Sequence, residues 1–253
     1  MRGKPNHSID RRSQAIDRRS QAIEWSGDCN LLPLLDTPIF RPAAEPTFLM
    51  RLILASQSPR RRELLQSLGL QPVVSPGHIV ESRADNESAL DYVSRLAEEK
   101  CVEGIGRHPH DVVIGADTIG VLEQDTSQIV LEKPQDKEDY LRMMAQLSNR
   151  WHTVATAVAV GCDSRIYTKR VDTHVKVATL DASFVEDYWQ SGIPQDKAGG
   201  YGIQSVFGSY IERIEGSYSA VVGLPLCQTR LLLSNFAISV GASSSQHTTS
   251  AAN

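Results

Sequence analysis

Leu52-Ile-Leu-Ala-Ser-Gln-Ser-Pro-Arg-Arg-Arg-Glu-Leu-Leu65 reads as a buried strand running directly into a helix. The apolar run Leu52–Ala55 supplies the strand. Ser58 stands at the N-cap position and Pro59 suits the first helical position, where a missing N–H costs nothing. Leu64, Leu65 and Leu68 mark the inward face of the helix. The turn between the two elements carries two serine hydroxyls and the guanidinium groups of Arg60, Arg61 and Arg62. A helix start leaves N–H groups unpaired at the positive end of the dipole. Arginine forks match phosphate oxygens. The local pattern admits two readings: a phosphate cradle, or a capped helix with solvated arginines.

Elements of alternating type follow. Glu87–Val102 has apolar residues at Leu90, Val93, Leu96, Ala97 and Cys101, a helical period. Asp111–Ala116 reads as a short buried strand, and Thr118–Leu122 with Ile129–Leu131 as a hairpin. A helix over Asp136–Leu147 precedes strands at Trp151–Val160 and Val171–Ala178. Ala182–Gln190 is a helix stopped by Gly192 and Pro194, Tyr201–Ile214 reads as extended, and Pro225–Phe236 as a closing helix. The mixture predicts a single α/β domain around a mixed sheet with flanking helices.

Both ends of the chain look unlike this middle. Ile9-Asp-Arg-Arg-Ser-Gln-Ala15 is repeated at once as Ile16–Ala22, with apolar positions too sparse for a coiled-coil seam. Pro33, Pro38, Pro42 and Pro46 then punctuate the chain before Met50. Residues 1–49 read as a disordered extension or a mis-assigned start, residues 50–240 as the working domain, and residues 241–253 as a frayed tail. A transit peptide competes for the Arg- and Ser-rich start, but Asp10, Asp17, Glu24, Asp28 and Asp36 count against it. A net charge of −4 argues against coating nucleic acid. No apolar run is long enough to span a bilayer. Cys29, Cys101, Cys162 and Cys227 lack metal-ligand spacing and read as reduced thiols of a cytoplasmic protein.

A few residues break the apolar patterns. Asp117 follows the strand Val112–Ala116, where an acid is costly unless it meets a cation or donors. Ligands gather at strand carboxyl ends of open α/β sheets, so Asp117 is either a metal ligand or general base, or a turn-forming acid. Lys100 lies along the stripe of Val93 and Leu96, positioned to act or to snorkel. Lys133, in Leu-Glu-Lys-Pro134, could reach a polyphosphate or simply be solvated. Glu81 follows the apolar Ile79 and Val80 and could share a Mg²⁺ with Asp117, although by itself it is one acid among many. Gly199–Gln204 and Gly216–Gly223 are Gly-rich without Rossmann or P-loop spacing. His152, inside a strand, reads as a structural residue.

Together these segments resemble the Maf family of nucleoside triphosphate pyrophosphatases. The matching pieces stand in family order: Leu54–Leu65, Arg95-Leu-Ala-Glu-Glu-Lys100, Gly115-Ala-Asp-Thr118, Leu131-Glu-Lys-Pro134, Asp196–Gln204 and Gly216–Leu226. Pro59 directly before Arg60 and Arg61, Thr118 after Asp117, and Tyr201-Gly-Ile-Gln204 resemble the dTTP/UTP branch. The 7-methyl-GTP branch carries a Trp before the arginine pair.

The resemblance implies a bent sheet of the Maf/ITPase type and a homodimer. It implies hydrolysis of dTTP and UTP, extending to modified pyrimidine nucleotides, to monophosphate and pyrophosphate with Mg²⁺ or Mn²⁺. Asp117, Lys100 and Lys133 match the family's catalytic positions. Ser56, Arg60 and Arg61 match its phosphate-binding turn, Thr118 and Gln204 its pyrimidine-selecting positions, and Glu81 with Asp117 its metal ligands. Two positions depart from the pattern. Val80 replaces a usual acid, which would weaken a metal shell. Ser205 replaces a usual Gly, which would strain the backbone if φ there is positive. The alternatives are a pyrophosphatase for methylated guanine or other non-canonical nucleotides, and a non-catalytic regulator of septum formation.

Overall fold

Strand β1 (Leu52–Leu54) forms where the sequence places it and is flanked on both sides. Ile53 pairs in parallel with Val73 of β2 (Val73–Val74) and with Val113 of β3 (Val112–Gln124). The computed structural model describes residues 50–124 and 127–241. The tandem repeat, the proline-rich stretch and nearly all of the C-terminal tail lie outside the described residues.

The sheet runs β2-β1-β3-β5-β6-β7, with β4 (Ser127–Leu131) paired to β3 beside this path. Its β1, β2 and β3 are parallel. Strands β5 (Trp151–Cys162), β6 (Arg165–Val177) and β7 (Ile211–Glu215) continue it in antiparallel pairing. A mixed sheet covered on both faces explains the unbroken apolar runs in the sequence. Val113, Ala155, Ala157 and Ala159 pack under helix α2 (Ala89–Arg107). Their neighbours Val112, Ile114, Val158 and Val160 face the other way. They meet Leu65 of α1 (Pro59–Ser67) and Leu232 and Leu233 of α6 (Leu226–Ser234). A third cluster fills the space under α3 (Lys137–Leu147) and α4 (Ala182–Gln190), around Phe207.

Three sequence expectations change. First, Val112–Ala116 and Thr118–Leu122 are one strand, so Asp117 is not at a strand exit. It sits mid-strand, opposite Ala157. The strand that ends here is β1, which stops at Leu54 opposite Ile114 while β3 continues. Past that stop, Arg61 links Ser56 of the following turn to Thr118, the neighbour of Asp117. Second, Tyr201–Ile214 is extended only at Ile211–Glu215. Val206–Tyr210 winds into a 3₁₀ turn begun by the Ser205 hydroxyl, which accepts from the Phe207 N–H at 3.3 Å. The turn drives Phe207 against Tyr201, 4.5 Å between ring centroids. Third, β2 and the short helix α5 (Tyr218–Val222) carry no periodic signal long enough to read.

One glycine sets the site's depth. A Cβ at Gly115 would lie 2.3 Å from the Ala97 carbonyl oxygen and 2.5 Å from the Cys101 nitrogen. Helix α2 therefore rests directly on β3, which brings Lys100 over Asp117. Among the described residues, no helix is long and apolar enough to cross a membrane.

Candidate active site

The turn after β1 is organised by Arg61. Its Nε donates to the Gly223 carbonyl at 2.9 Å, Nη1 to Ser56 Oγ at 3.1 Å and Nη2 to Thr118 Oγ1 at 3.2 Å. Ser56 Oγ also accepts the Ser58 N–H at 3.2 Å, while the Ser58 side chain makes no cap bond of its own. Thr156 Oγ1 lies 2.7 Å from the Ala220 carbonyl and 3.1 Å from Thr118 Oγ1. A hydroxyl has one proton to give. The shorter contact takes the Thr156 proton, so the Thr118 hydroxyl donates to Thr156 and accepts from Arg61. Gly223 presents its carbonyl from a φ of 130°, a conformation L side chains rarely adopt.

The sequence puts Leu64, Leu65 and Leu68 on the inner face of α1, but the buried pair is Arg61 and Leu65, one turn apart. Burial lowers the pKa of Arg61, and the nearby Asp117 carboxylate opposes that shift. Arg60 projects elsewhere. Its Nη1 is 2.9 Å from Asp196 Oδ2 and its Nη2 3.3 Å from the Asp196 carbonyl.

The second focus is Lys100. Its Nζ lies 2.6 Å from Asp117 Oδ1 and 2.8 Å from Glu81 Oε1. Asp117 is buried, and Glu81 is half-exposed on the loop before α2. Partial burial pushes the Glu81 carboxyl up, but Lys100, aided by Lys133 and Arg61, holds it below the usual range. Lys133 is exposed just past β4. It lines a cavity of about 440 Å³ with Glu81, Tyr92, Glu132, Arg83 and Arg142. The Tyr92 hydroxyl donates to Glu132 Oε1 at 3.1 Å, and burial together with that carboxylate holds the phenol above its ordinary value.

The structure thus groups Ser56, Arg61 and Thr118 in one network and Glu81, Lys100 and Asp117 in another, with Lys133 bordering the second. Gln204 is exposed and, among the described residues, makes no hydrogen bond to either network. Ser205 is not strained. Its φ is −93°, and its hydroxyl donates to the Gly202 carbonyl at 2.6 Å. Val80 is 80% exposed, with an apolar side chain that offers nothing to a cation.

Sequence reasoning missed Asp196, Thr156 and Glu132. Thr156 is a lone hydroxyl in the apolar run Val154–Val158, and Glu132 directly precedes Lys133; both were visible signals. His152 is structural, as expected: its Nε2 lies 2.8 Å from the Tyr201 hydroxyl.

Two carboxylates converge on one cationic point, the Lys100 ammonium. Among the described residues, no group of three or more His, Cys, Asp or Glu side chains is placed to hold a metal. That donor set does not make an all-protein cage. It does fit a hard cation held through one or two carboxylates and completed by a ligand's phosphates, the mode Mg²⁺ favours.

An α/β domain thus sets a buried arginine fork and a lysine bound by two carboxylates beside the turn that follows β1. Residues 51–236 match the Maf-like protein family, and the chain belongs to it. It is 48% identical over 187 residues to a dTTP/UTP pyrophosphatase of Vibrio cholerae, covering 74% of this chain and 98% of that protein. It is 44% identical over 193 residues to a dTTP/UTP pyrophosphatase of Hahella chejuensis, covering 75% and 94%.

Proposed function

We propose that this chain is a nucleoside triphosphate pyrophosphatase that hydrolyses dTTP and UTP to the monophosphate and pyrophosphate. The observation that carries this reading is the Glu81–Lys100–Asp117 cluster set beside the Arg61 network. The activity of relatives matched over nearly their whole length supports it. We assign the catalytic domain to residues 50–240. By resemblance it acts as a cytoplasmic homodimer.

Only Oδ1 of Asp117 is taken by Lys100, which leaves Oδ2 to orient a water towards the α-phosphorus and to receive its proton. Arg60 exchanges the Asp196 carboxylate, whose side chain is 57% exposed, for phosphate oxygens. Arg61 holds Ser56 and Thr118 in place and contributes fixed positive charge. Lys100 and Lys133 neutralise charge that builds on the leaving pyrophosphate. Glu81 and Asp117 would hold a Mg²⁺ or Mn²⁺, which when bound supplies further charge neutralisation at the phosphates. Gln204, with Thr118, is assigned to the pyrimidine.

The test is a nucleoside triphosphate panel, with Mg²⁺ and with Mn²⁺, read by pyrophosphate release. Release from dTTP and UTP above all others is expected. Preference for 7-methyl-GTP would move the chain to another branch, and binding without product would favour a regulator.

A further inference from the structure

Glu81 sits on a stretch of chain with almost nothing to hold it. Among the described residues, positions 76–83 make no backbone–backbone hydrogen bond. Ile79 packs partly against the core under α2. The main chain near Glu81 receives one bond, from Arg95 Nη2 to the Ser82 carbonyl at 2.9 Å. Arg95 lies on α2 just over a turn before Lys100. The rest of its fork is braced. Nε and Nη2 reach the two oxygens of Glu87 at 2.7 and 2.8 Å, and Nη1 reaches Glu99 at 2.9 Å. Glu87 in turn accepts the Ala84 N–H at 3.0 Å, and its carbonyl accepts from Arg83 Nε at 2.7 Å. The guanidinium also lies over the Tyr92 ring, 5.5 Å from its centroid.

An unbonded loop has many conformations, and ordering it costs entropy at every residue. Besides the Lys100–Glu81 ion pair and the packing of Ile79, the contact that orders the main chain beside Glu81 comes from one planar fork, fixed to the same helix that carries Lys100. The bonded carbonyl belongs to the residue next to Glu81. We propose that Arg95 is a positioning residue for the reaction: it sets Glu81 across Lys100 from Asp117 without touching the substrate. This rests on the role assigned to Glu81 above. Lysine cannot replace the fork, because one ammonium lacks the planar geometry that serves Glu87, Glu99 and Ser82 together.

The same helix carries an internal control. Arg107 pairs with Glu103 and donates to the Ser75 carbonyl at 2.9 Å, at the far end of the loop from Glu81. The experiment is a double-mutant cycle of Arg95→Gln with Glu81→Gln, alongside hydrogen exchange of peptides spanning residues 78–87. Arg95→Gln should lower kcat roughly 10- to 100-fold, the usual cost of losing a supporting partner. In the Glu81→Gln background it should add little, because the two act as a unit. Exchange over 78–87 should rise in Arg95→Gln and not in Arg107→Gln. Arg95→Lys should fall between wild type and Arg95→Gln, and it carries the same cycle if Arg95→Gln does not fold. Full additivity of the two kcat losses, or unchanged exchange over the loop, would overturn the proposal. The exchange measurement needs no turnover. If no pyrophosphate is released by the wild type, the functional reading fails while exchange still decides whether Arg95 orders the loop.

Discussion

The two walls of the site are built differently. The wall formed by the turn after β1, β3 and β5 is packed. Arg61, Ser56 and Thr156 are all buried, and each Arg61 nitrogen has a protein partner. The opposite wall is a loop outside the sheet, with a half-exposed Glu81. Its shape depends on side chains of α2. Arg60 and Arg61 show the contrast in two adjacent residues. One is held at the surface by the exposed Asp196, and the other is enclosed among strands. The adjacent arginines are therefore one cation bound to a half-exposed carboxylate and one enclosed by three protein acceptors. The donors of the packed wall are fixed by protein partners, whereas the loop wall is held by side chains of α2.

The largest test falls where the walls meet. Asp117→Asn should reduce pyrophosphate release on the order of a thousandfold, as expected for loss of a general base, while leaving a cooperative unfolding transition. Near-normal release would remove Asp117 from the mechanism and with it the meeting point of the walls. Next is the arginine contrast. Arg61→Ala should cost about 3 kcal/mol of stability in urea unfolding, because buried Ser56, Thr118 and the Gly223 carbonyl lose their donor. Arg60→Ala should leave stability within about 0.5 kcal/mol and raise KM roughly tenfold. The reverse pattern would break the comparison.

A further test is a pH effect in the packed wall. His152 lies on the same face of β5 as Thr156, and burial pushes its pKa from 6.5 down to about 4. The folded state thus binds this proton less readily than the unfolded state. Its stabilising contribution is complete above 6.5 and is lost as pH falls towards 4. Between pH 6.5 and about 5, unfolding free energy should fall by about 2 kcal/mol, and His152→Gln should flatten that slope.

Much of this was legible in the chain. The stripe of Val93, Leu96 and Lys100 follows from helical periodicity, and the structure finds Lys100 on the inner side of α2, bonded to Asp117. Strand β1 and the start of α1 follow from an apolar run, a serine and a proline. The carboxylate partners of Lys100 were less visible, because Glu81 and Asp117 are distant in sequence and nothing periodic links them. Arg61 left two readings open, a phosphate cradle or a solvated cation, because the partners that enclose it, Thr118 and Gly223, lie far away in the chain.

By itself the sequence determined the alternation of strand and helix, the fully covered strands, and the order of motifs that places the chain in its family. Those features depend on local periodicity and on residue chemistry within short windows. Only the tertiary structure decided that β3 runs through Asp117, that β1 ends at Leu54 while β3 continues, and that Gly115 lets α2 lie close. It also decided which arginine is enclosed and which is bound to a half-exposed carboxylate. Each of these is a matter of register or close approach between segments far apart in the chain, and no local window contains the energy that selects it.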